Sequence, residues 1–156
     1  MQCSNRNLLQ NGNFRLGSHP WKGRNIHLTA NPLVEHDYSM AMGNLNSETP
    51  SLLFQTVSGP FESQCAYYLY FRVLNRSPEH IQPRLFAVVS YLSRDGRIQR
   101  TTPLRVLPPH VKPQRFSSYF TIVPPPSTTT RSLVVVFYVD RGTVFVDYIR
   151  VASHRV

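Results

Sequence analysis

The chain has 156 residues, 41% of them hydrophobic, and a formal net charge of +9. This length fits a single domain, and the hydrophobic content is too high for a disordered chain. The sequence has no apolar leader segment and no apolar run near the roughly 18 residues of a membrane helix. We therefore expect a protein that is made in the cytoplasm and has no membrane partner.

Short strand-like segments follow one another along the chain. Residues 17–25 resemble a loop, because Pro20 and Gly23 flank Trp21. Eight further segments are short apolar runs or alternate between apolar and polar residues, a pattern that is typical of strands. These predicted strands are 37–42, 51–57, 65–73, 84–92, 97–107, 114–123, 132–139 and 143–152.

The segment 65–73 shows the clearest alternation. Tyr67, Leu69, Phe71 and Val73 fall on one face of this strand, and the other face carries Tyr68, Tyr70 and Arg72. We expect the next strand to place Phe86, Val88 and Ser90 beside that second face.

Turn signals separate these strands. Asp95-Gly96 predicts a hairpin between 84–92 and 97–107, and Pro103 in the returning strand indicates a sheet edge or a bulge. Eight to ten short strands without a helix predict a sandwich or a barrel. We expect one domain over 1–156, with flexible ends at 1–6 and 154–156.

The sequence contains no recognisable catalytic motif. It has eight acidic residues and six scattered histidines, and no metal-ligand spacing or nucleophile motif is visible. Glu35-His36-Asp37 is the densest titratable cluster; it is either an acid–base or metal group or an exposed loop. We predict that the protein is not an enzyme and needs no cofactor.

The two cysteines, Cys3 and Cys65, are not spaced as zinc ligands. They can pair within one chain, pair between two chains, or stay reduced. Sequence alone leaves these three alternatives open.

Most of the positive charge comes from arginine, since only Lys22 and Lys112 are lysines. Arginine is enriched in interfaces, where its guanidinium group forms bidentate hydrogen bonds with oxyanions and stacks on aromatic rings. The excess of arginine over lysine indicates either surfaces that contact a partner or charges that are simply solvated. The tightest basic group would form a stripe if it shared one face of the predicted hairpin; its members are Arg94, Arg97, Arg100 and Arg105.

Both ends of the chain resemble one known family. Residues 7–14 read NLLQNGNF and are followed by Trp21, and residues 144–151 read VFVDYIRV. These motifs, with 51–55 and 67–73 between them, are similar to jelly-roll modules of the galactose-binding-like class, which includes bacterial carbohydrate-binding modules. The resemblance implies an all-β jelly-roll sandwich of two antiparallel sheets.

The resemblance also implies a place for a structural calcium ion, formed by an acid after the opening Phe and an Asp in the last strand. Here Arg15 follows Phe14, and only Asp147 remains. Calcium usually needs more than one charged oxygen ligand. We therefore predict no metal, with Asp147 as a ligand only if a calcium site survives, and we expect Arg15 to pair with Asp147 in place of the ion.

These observations are compatible with three functions. The favoured one is a self-associating structural protein of a bacterial spore coat, exosporium or other surface layer, cross-linked through Cys3 and Cys65, with copies of itself or other layer proteins as partners. Its subunits would meet through the face of Tyr68, Tyr70 and Arg72. The alternative is a carbohydrate-binding module that recognises a glycan through Tyr68, Tyr70, Arg72 and Trp21. Trp21 is either such a platform or a core residue, as the resembling family position implies. A nucleic-acid-associated or capsid-type jelly roll is less favoured, because the chain has no basic arm.

Overall fold

A computed structural model describes residues 3–43 and 49–154. These residues form ten strands and contain no helix that could cross a bilayer. The strands are β1 (Lys22–Arg24), β2 (Ile26–Ala30), β3 (Tyr38–Met42), β4 (Ser51–Ser58), β5 (Ala66–Asn75), β6 (Arg84–Leu92), β7 (Ile98–Val106), β8 (Ser117–Val123), β9 (Ser132–Arg141) and β10 (Val144–His154).

The strands form two antiparallel sheets of five. Sheet I has the order β1-β4-β9-β6-β7, and sheet II has the order β2-β3-β10-β5-β8. The turn at Gly142 leads from β9, the centre of sheet I, to β10, the centre of sheet II. The predicted fold class, an all-β jelly-roll sandwich, is confirmed.

Alternating side chains from both sheets form the core. Tyr67, Leu69, Phe71 and Val73 of β5 are all buried, as the period of two predicts. The ring of Phe71 meets Phe137 of sheet I edge to face at 5.0 Å. The other face of β5, with Tyr68, Tyr70 and Arg72, is only half-buried and forms part of the outer surface of sheet II.

The predicted hairpin is present, and Pro103 lies on β7, an edge strand. The expected neighbourhood of β5 and β6 was wrong, because β6 belongs to the opposite sheet. Phe86 and Val88 therefore lie on the outer face of sheet I, and Ser90 lies with them. Strands β1 and β2 were not predicted. The prediction of a loop over 17–25 was wrong at β1, because its exposed residues, KGR, show no apolar alternation. A Cβ at Gly23 would collide with the Leu52 carbonyl oxygen of β4.

Half-buried apolar side chains cover the outer face of sheet I, and we call them the apolar stripe. The register places these residues in two neighbouring rows across β4, β9 and β6: Leu52, Tyr138 and Phe86, then Phe54, Val136 and Val88. Arg24 and Lys22 of β1 flank the rows on one side, and Arg105 of β7 flanks the first row on the other.

The N-terminal segment is attached to the body of the domain. Cys3 and Cys65 form a disulfide within the chain, and Ser4 donates backbone and side-chain hydrogen bonds to Glu62. The expected cross-link between chains was wrong, because each sulfur is already bonded to the other. Of the ends predicted to be flexible, residues 3–6 are held in place, His154 ends β10, and residues 1–2 and 155–156 lie outside the described residues.

Candidate functional site

A groove of about 540 Å³ lies on the outer surface of sheet II. It forms where the loop 11–16 meets the middle of β10. Its aromatic and charged lining consists of Tyr70, Tyr148, Arg15 and Arg150, with Asn13 and Leu16 beside them. This combination of ring faces and hydrogen-bond donors is suited to a polar ligand with flat apolar patches.

A bulge in β10 positions Tyr148. The register with β5 shifts between Asp147 and Arg150, and Tyr148 has φ of 50°. A left-handed conformation is rare for an aromatic residue and is strained. The bulge turns this side chain outward, where 38% of it is exposed beside the groove.

The loop opposite the bulge is fixed by Asn11. Its side-chain amide donates to the carbonyl oxygens of Gly17 and His19, and its Oδ1 accepts from the N–H of Leu16. The loop also presses against β10, since Ile149 N–H donates to the Gly12 carbonyl and a Cβ at Gly12 would collide with the backbone of Ile149. Both walls of the groove are therefore preorganised.

Arg72 supports Tyr148 from beneath. Its guanidinium carbon lies 3.7 Å from the centre of the Tyr148 ring and 5.4 Å from that of Phe116. Its Nη2 is 3.4 Å from Asp147 Oδ2. The ion pair with Asp147 fixes the guanidinium group, and the stack of this group on the ring fixes Tyr148. The role of Arg72 is therefore to position Tyr148.

The two predicted tyrosines of β5 occupy different positions. Tyr70 lines the groove, and its hydroxyl is 2.9 Å from Ser118 Oγ. The Tyr68 hydroxyl accepts from Arg150 Nε at 3.0 Å and donates to Asn5 Oδ1, so Tyr68 orients Arg150. Phe120, opposite Tyr70 in the register and 68% exposed, extends the aromatic surface onto the edge strand β8.

Trp21 does not belong to the site. It is 5% exposed, its ring packs against Phe14 and Phe137, and its Nε1 donates to the Asn11 carbonyl. A ring enclosed in this way has no free face for a ligand. The prediction of Trp21 as a binding platform was wrong, because the residue is part of the core that anchors the groove loop.

Two carboxylates are buried near the groove. Asn31 Nδ2 lies 3.4 Å from Asp37 Oδ2 and 3.5 Å from Asp147 Oδ2. Burial raises the pKa of Asp147 to about 7, opposed by a hydrogen bond from the Tyr148 N–H; repulsion from Asp37 raises this pKa further, and Arg72 lowers it. Asp147 therefore changes charge near neutral pH.

Arg15 pairs with the other carboxylate. Its Nε is 3.8 Å from Oδ1 of Asp37, whereas Asp147 is paired with Arg72. The expectation that Arg15 would pair with Asp147 was therefore wrong. Asp37 belonged to the predicted titratable cluster, but Glu35 and His36 are exposed, so the three residues do not form one site.

The residues present do not fit a calcium ion. The Oδ1 of Asn31 accepts from the backbone N–H groups of Leu33 and Val34, so its amide N–H₂ faces the two carboxylates. Each carboxylate also has a guanidinium group beside it, since Arg15 Nε is 3.8 Å from Asp37 Oδ1 and Arg72 Nη2 is 3.4 Å from Asp147 Oδ2. A cation needs oxygen donors at such positions, whereas this arrangement presents N–H groups.

The predicted basic stripe is not formed. Arg105 lies opposite Phe86 on the outer face of sheet I, whereas Arg100 lies opposite the buried Tyr91. The two arginines are five positions apart along β7, which places them on opposite faces of the strand. This hairpin therefore does not present a continuous basic surface.

Solved structures share this fold across the whole chain. A CBM61 module in complex with β-1,4-galactotriose has a TM-score of 0.69 at 17% identity, and the match covers 96% of this chain and 99% of that one. The CBM22-1 xylan-binding domain of Paenibacillus barcinonensis Xyn10C has a TM-score of 0.63 at 12% identity, covering 100% and 99%. The chain has a fold shared with carbohydrate-binding modules.

The same fold also occurs inside larger proteins. The enzymatically active domain of the bacteriophage CBA120 tailspike protein 4 matches with a TM-score of 0.67 at 15% identity over 95% of this chain, which spans about a fifth (21%) of that protein. No protein-family profile matches the chain, and no curated protein is similar to it in sequence.

These findings correct the favoured functional prediction. The self-associating spore-surface protein was wrong: the similar structures include carbohydrate-binding modules matched over nearly their full length, and the two cysteines needed for cross-linking bind each other. The glycan-binding alternative agrees better with the structure. Sequence reasoning missed Tyr148 in particular, because nothing in VFVDYIRV marks where the strand bulges.

Proposed function

We propose that this protein is a non-catalytic carbohydrate-binding module and that it binds glycans in the groove on sheet II. The observation that carries the proposal is the pairing of two tyrosines, Tyr70 and Tyr148, with guanidinium and amide donors in one preorganised groove. Pyranose rings present apolar C–H faces to aromatic rings, and their hydroxyl groups require hydrogen-bond partners.

The comparisons support this proposal. Two structures that resemble the whole chain are described as a galactotriose complex and a xylan-binding domain. Fold likeness alone does not determine function, so the argument depends on the groove. Hydrogen bonds of Asn11 fix one wall of the groove, and the stack of Arg72 on Tyr148 fixes the other. Because these groups are already ordered, less conformational entropy is lost when a ligand binds.

A non-catalytic role fits the chemistry of the groove. Its charged lining is arginine, and the nearest carboxylates, Asp37 and Asp147, are 4% and 0% exposed. Glycoside hydrolysis needs two carboxyl groups that reach the substrate from both sides of the bond. Asp37 and Asp147 both lie beside the side-chain amide of Asn31 and pair with Arg15 and Arg72 rather than with a substrate.

Glycan binding is tested by screening a glycan array and then measuring the strongest ligand by calorimetry. We expect Tyr148→Ala or Tyr70→Ala to weaken binding at least about tenfold, because central aromatic contacts commonly carry more than about 1.4 kcal/mol.

The matched control is Tyr138→Ala, a tyrosine of the apolar stripe on the opposite sheet. This variant should bind as tightly as the unmodified protein. A glycan whose affinity falls with Tyr138→Ala but not with either groove variant would disprove the proposed site, and an array with no ligand would contradict the function.

A further inference from the structure

The electrostatics of the groove suggest the chemical class of its ligand. Arg15 and Arg150 are its charged lining residues, and the part of the lining that the structure describes contains no carboxylate. The Asp37 and Asp147 side chains beneath are buried, so neither can contact a ligand. A ligand in the groove therefore meets positive charge only.

The guanidinium group of Arg15 has hydrogen-bond donors that are available to a ligand. Within residues 3–43 and 49–154, its side chain makes one polar contact, the 3.8 Å approach of Nε to Asp37, and it is 59% exposed. The two terminal nitrogens of its guanidinium have no hydrogen bond within those ranges. Such a fork matches the two oxygens of a carboxylate or a sulfate.

The amides of the lining add donors rather than acceptors. Asn7 Oδ1 already accepts from the N–H groups of Leu9 and Val151, and Asn13 Oδ1 accepts from the N–H of Arg15. Their Nδ2 groups remain available to a ligand. Hydroxyl groups of a neutral sugar also donate protons and need acceptors, which this lining supplies poorly.

We propose that the groove selects anionic glycans, in which a sugar carboxylate or sulfate is bound by the two terminal nitrogens of Arg15. Arg150, whose Nε and Nη2 already donate to Tyr68 and Asn5, adds positive charge and its Nη1 donors. This inference rests on the proposed function and specifies the ligand class of the same groove. The tyrosines would contact the sugar rings, and the arginines would discriminate charged from neutral sugars.

The test compares ligands that differ in one class of anionic group, and the member that carries this group is called the anionic member of its pair. Calorimetry would use oligogalacturonate against its methyl-esterified form, and a heparin oligosaccharide against its desulfated form. We expect the anionic member of at least one pair to bind tenfold or more tightly, with a preference that shrinks between about 20 mM and about 500 mM sodium chloride. The first pair identifies a carboxylate and the second a sulfate.

Variants connect the preference to the groove. Arg15→Gln should abolish most of the preference for the anionic member, and Arg15→Lys should restore part of it, because the charge returns without the fork. Arg105→Gln is the matched control, since Arg105 is an exposed arginine on the outer face of sheet I. It should leave the preference unchanged.

The possible failures differ from one another. Equal binding of the two members of each pair, lost in Tyr148→Ala, would overturn the anionic preference and leave glycan binding intact. Absence of binding by these pairs and by a full glycan array would overturn both proposals. Single-stranded DNA that competes as strongly as the anionic sugars would assign the groove to nucleic acid and contradict the inference.

Discussion

The outer faces of the two sheets differ in chemistry although both belong to one sandwich. On sheet II, tyrosines and arginines share the outer face, a bulge interrupts β10 beside the groove, and a loop forms a wall. On sheet I, the register is continuous through the apolar stripe, since the shift between β6 and β9 lies at Arg84 and Leu85, and the stripe offers few polar groups. The irregular face is the one that forms a groove with hydrogen-bond donors.

This difference coincides with a strained residue at the groove. Tyr148 has a positive φ, and Gly12, which has no room for a Cβ, packs against the neighbouring Ile149. Backbone strain is often stored at binding sites and is maintained by surrounding contacts. Here those contacts include the Arg72 stack, the Asn11 hydrogen bonds and the disulfide that attaches the N-terminal segment.

The largest effect on stability is expected from removal of the disulfide, which attaches the N-terminal segment to the start of β5. Replacing both Cys3 and Cys65 by Ser opens a cross-link between residues 62 apart in sequence. The chain-entropy relation predicts a loss of about 4 kcal/mol in the free energy of unfolding. Urea denaturation would measure it. A loss below about 1 kcal/mol would mean that hydrogen bonds alone hold the segment.

The double cysteine variant should also weaken glycan binding, because Asn5 would no longer be held against Arg150 and Tyr68. A non-reducing gel should show a single-chain species for the unmodified protein. A dimer that disappears with reductant would contradict the intrachain disulfide.

The second prediction concerns Asp147 beneath the groove. Its pKa is raised from 3.8 to about 7 by folding. Between these values the unfolded chain loses a proton that the folded chain retains, so stability should fall as the pH rises from about 4 to about 7 and then level off. Each pKa unit corresponds to about 1.4 kcal/mol, so this contribution amounts to a few kcal/mol.

Asp147→Asn should remove most of that slope in urea denaturation at a series of pH values. Asp140→Asn is the control, since Asp140 pairs with Arg84 on sheet I, away from the buried pair. An unchanged slope in Asp147→Asn would show that the pH dependence arises elsewhere.

The third prediction compares two glycines that have no room for a Cβ, one on each sheet. Gly12→Ala would clash with Ile149 at the groove, and Gly23→Ala would clash with Leu52 in sheet I. Each should cost about 1–3 kcal/mol of stability, which thermal unfolding would measure. Only Gly12→Ala should also weaken glycan binding. Equal effects of both variants on binding would contradict a role for the loop wall.

Sequence reasoning predicted the fold well because burial imposes a period of two. The alternation in 65–73 identified both faces of β5, and Asp95-Gly96 identified the β6–β7 hairpin. It misassigned the sheet of β6, since hydrophobic alternation is the same in either sheet. The strand pattern left a sandwich and a barrel open, and only the resemblance to a family indicated a jelly-roll sandwich.

The site was predicted in part. Tyr70 does line the groove, but Tyr148 and Arg15 reach it through a bulge and a loop that no local pattern encodes. For Trp21, a loop residue between Pro20 and Gly23, the sequence left a binding platform and a core position open. Its burial depends on contacts with Phe14 and Phe137, which are formed only in the folded chain.

The most direct test of the central claim is a heteronuclear NMR titration with the strongest ligand from the glycan array. The account predicts that backbone amide shifts change in 11–16, around Tyr70 and in 148–150, while those of the apolar stripe in 52–54, 86–88 and 136–138 stay constant. Shift changes confined to the apolar stripe would contradict the account and assign glycan binding to sheet I.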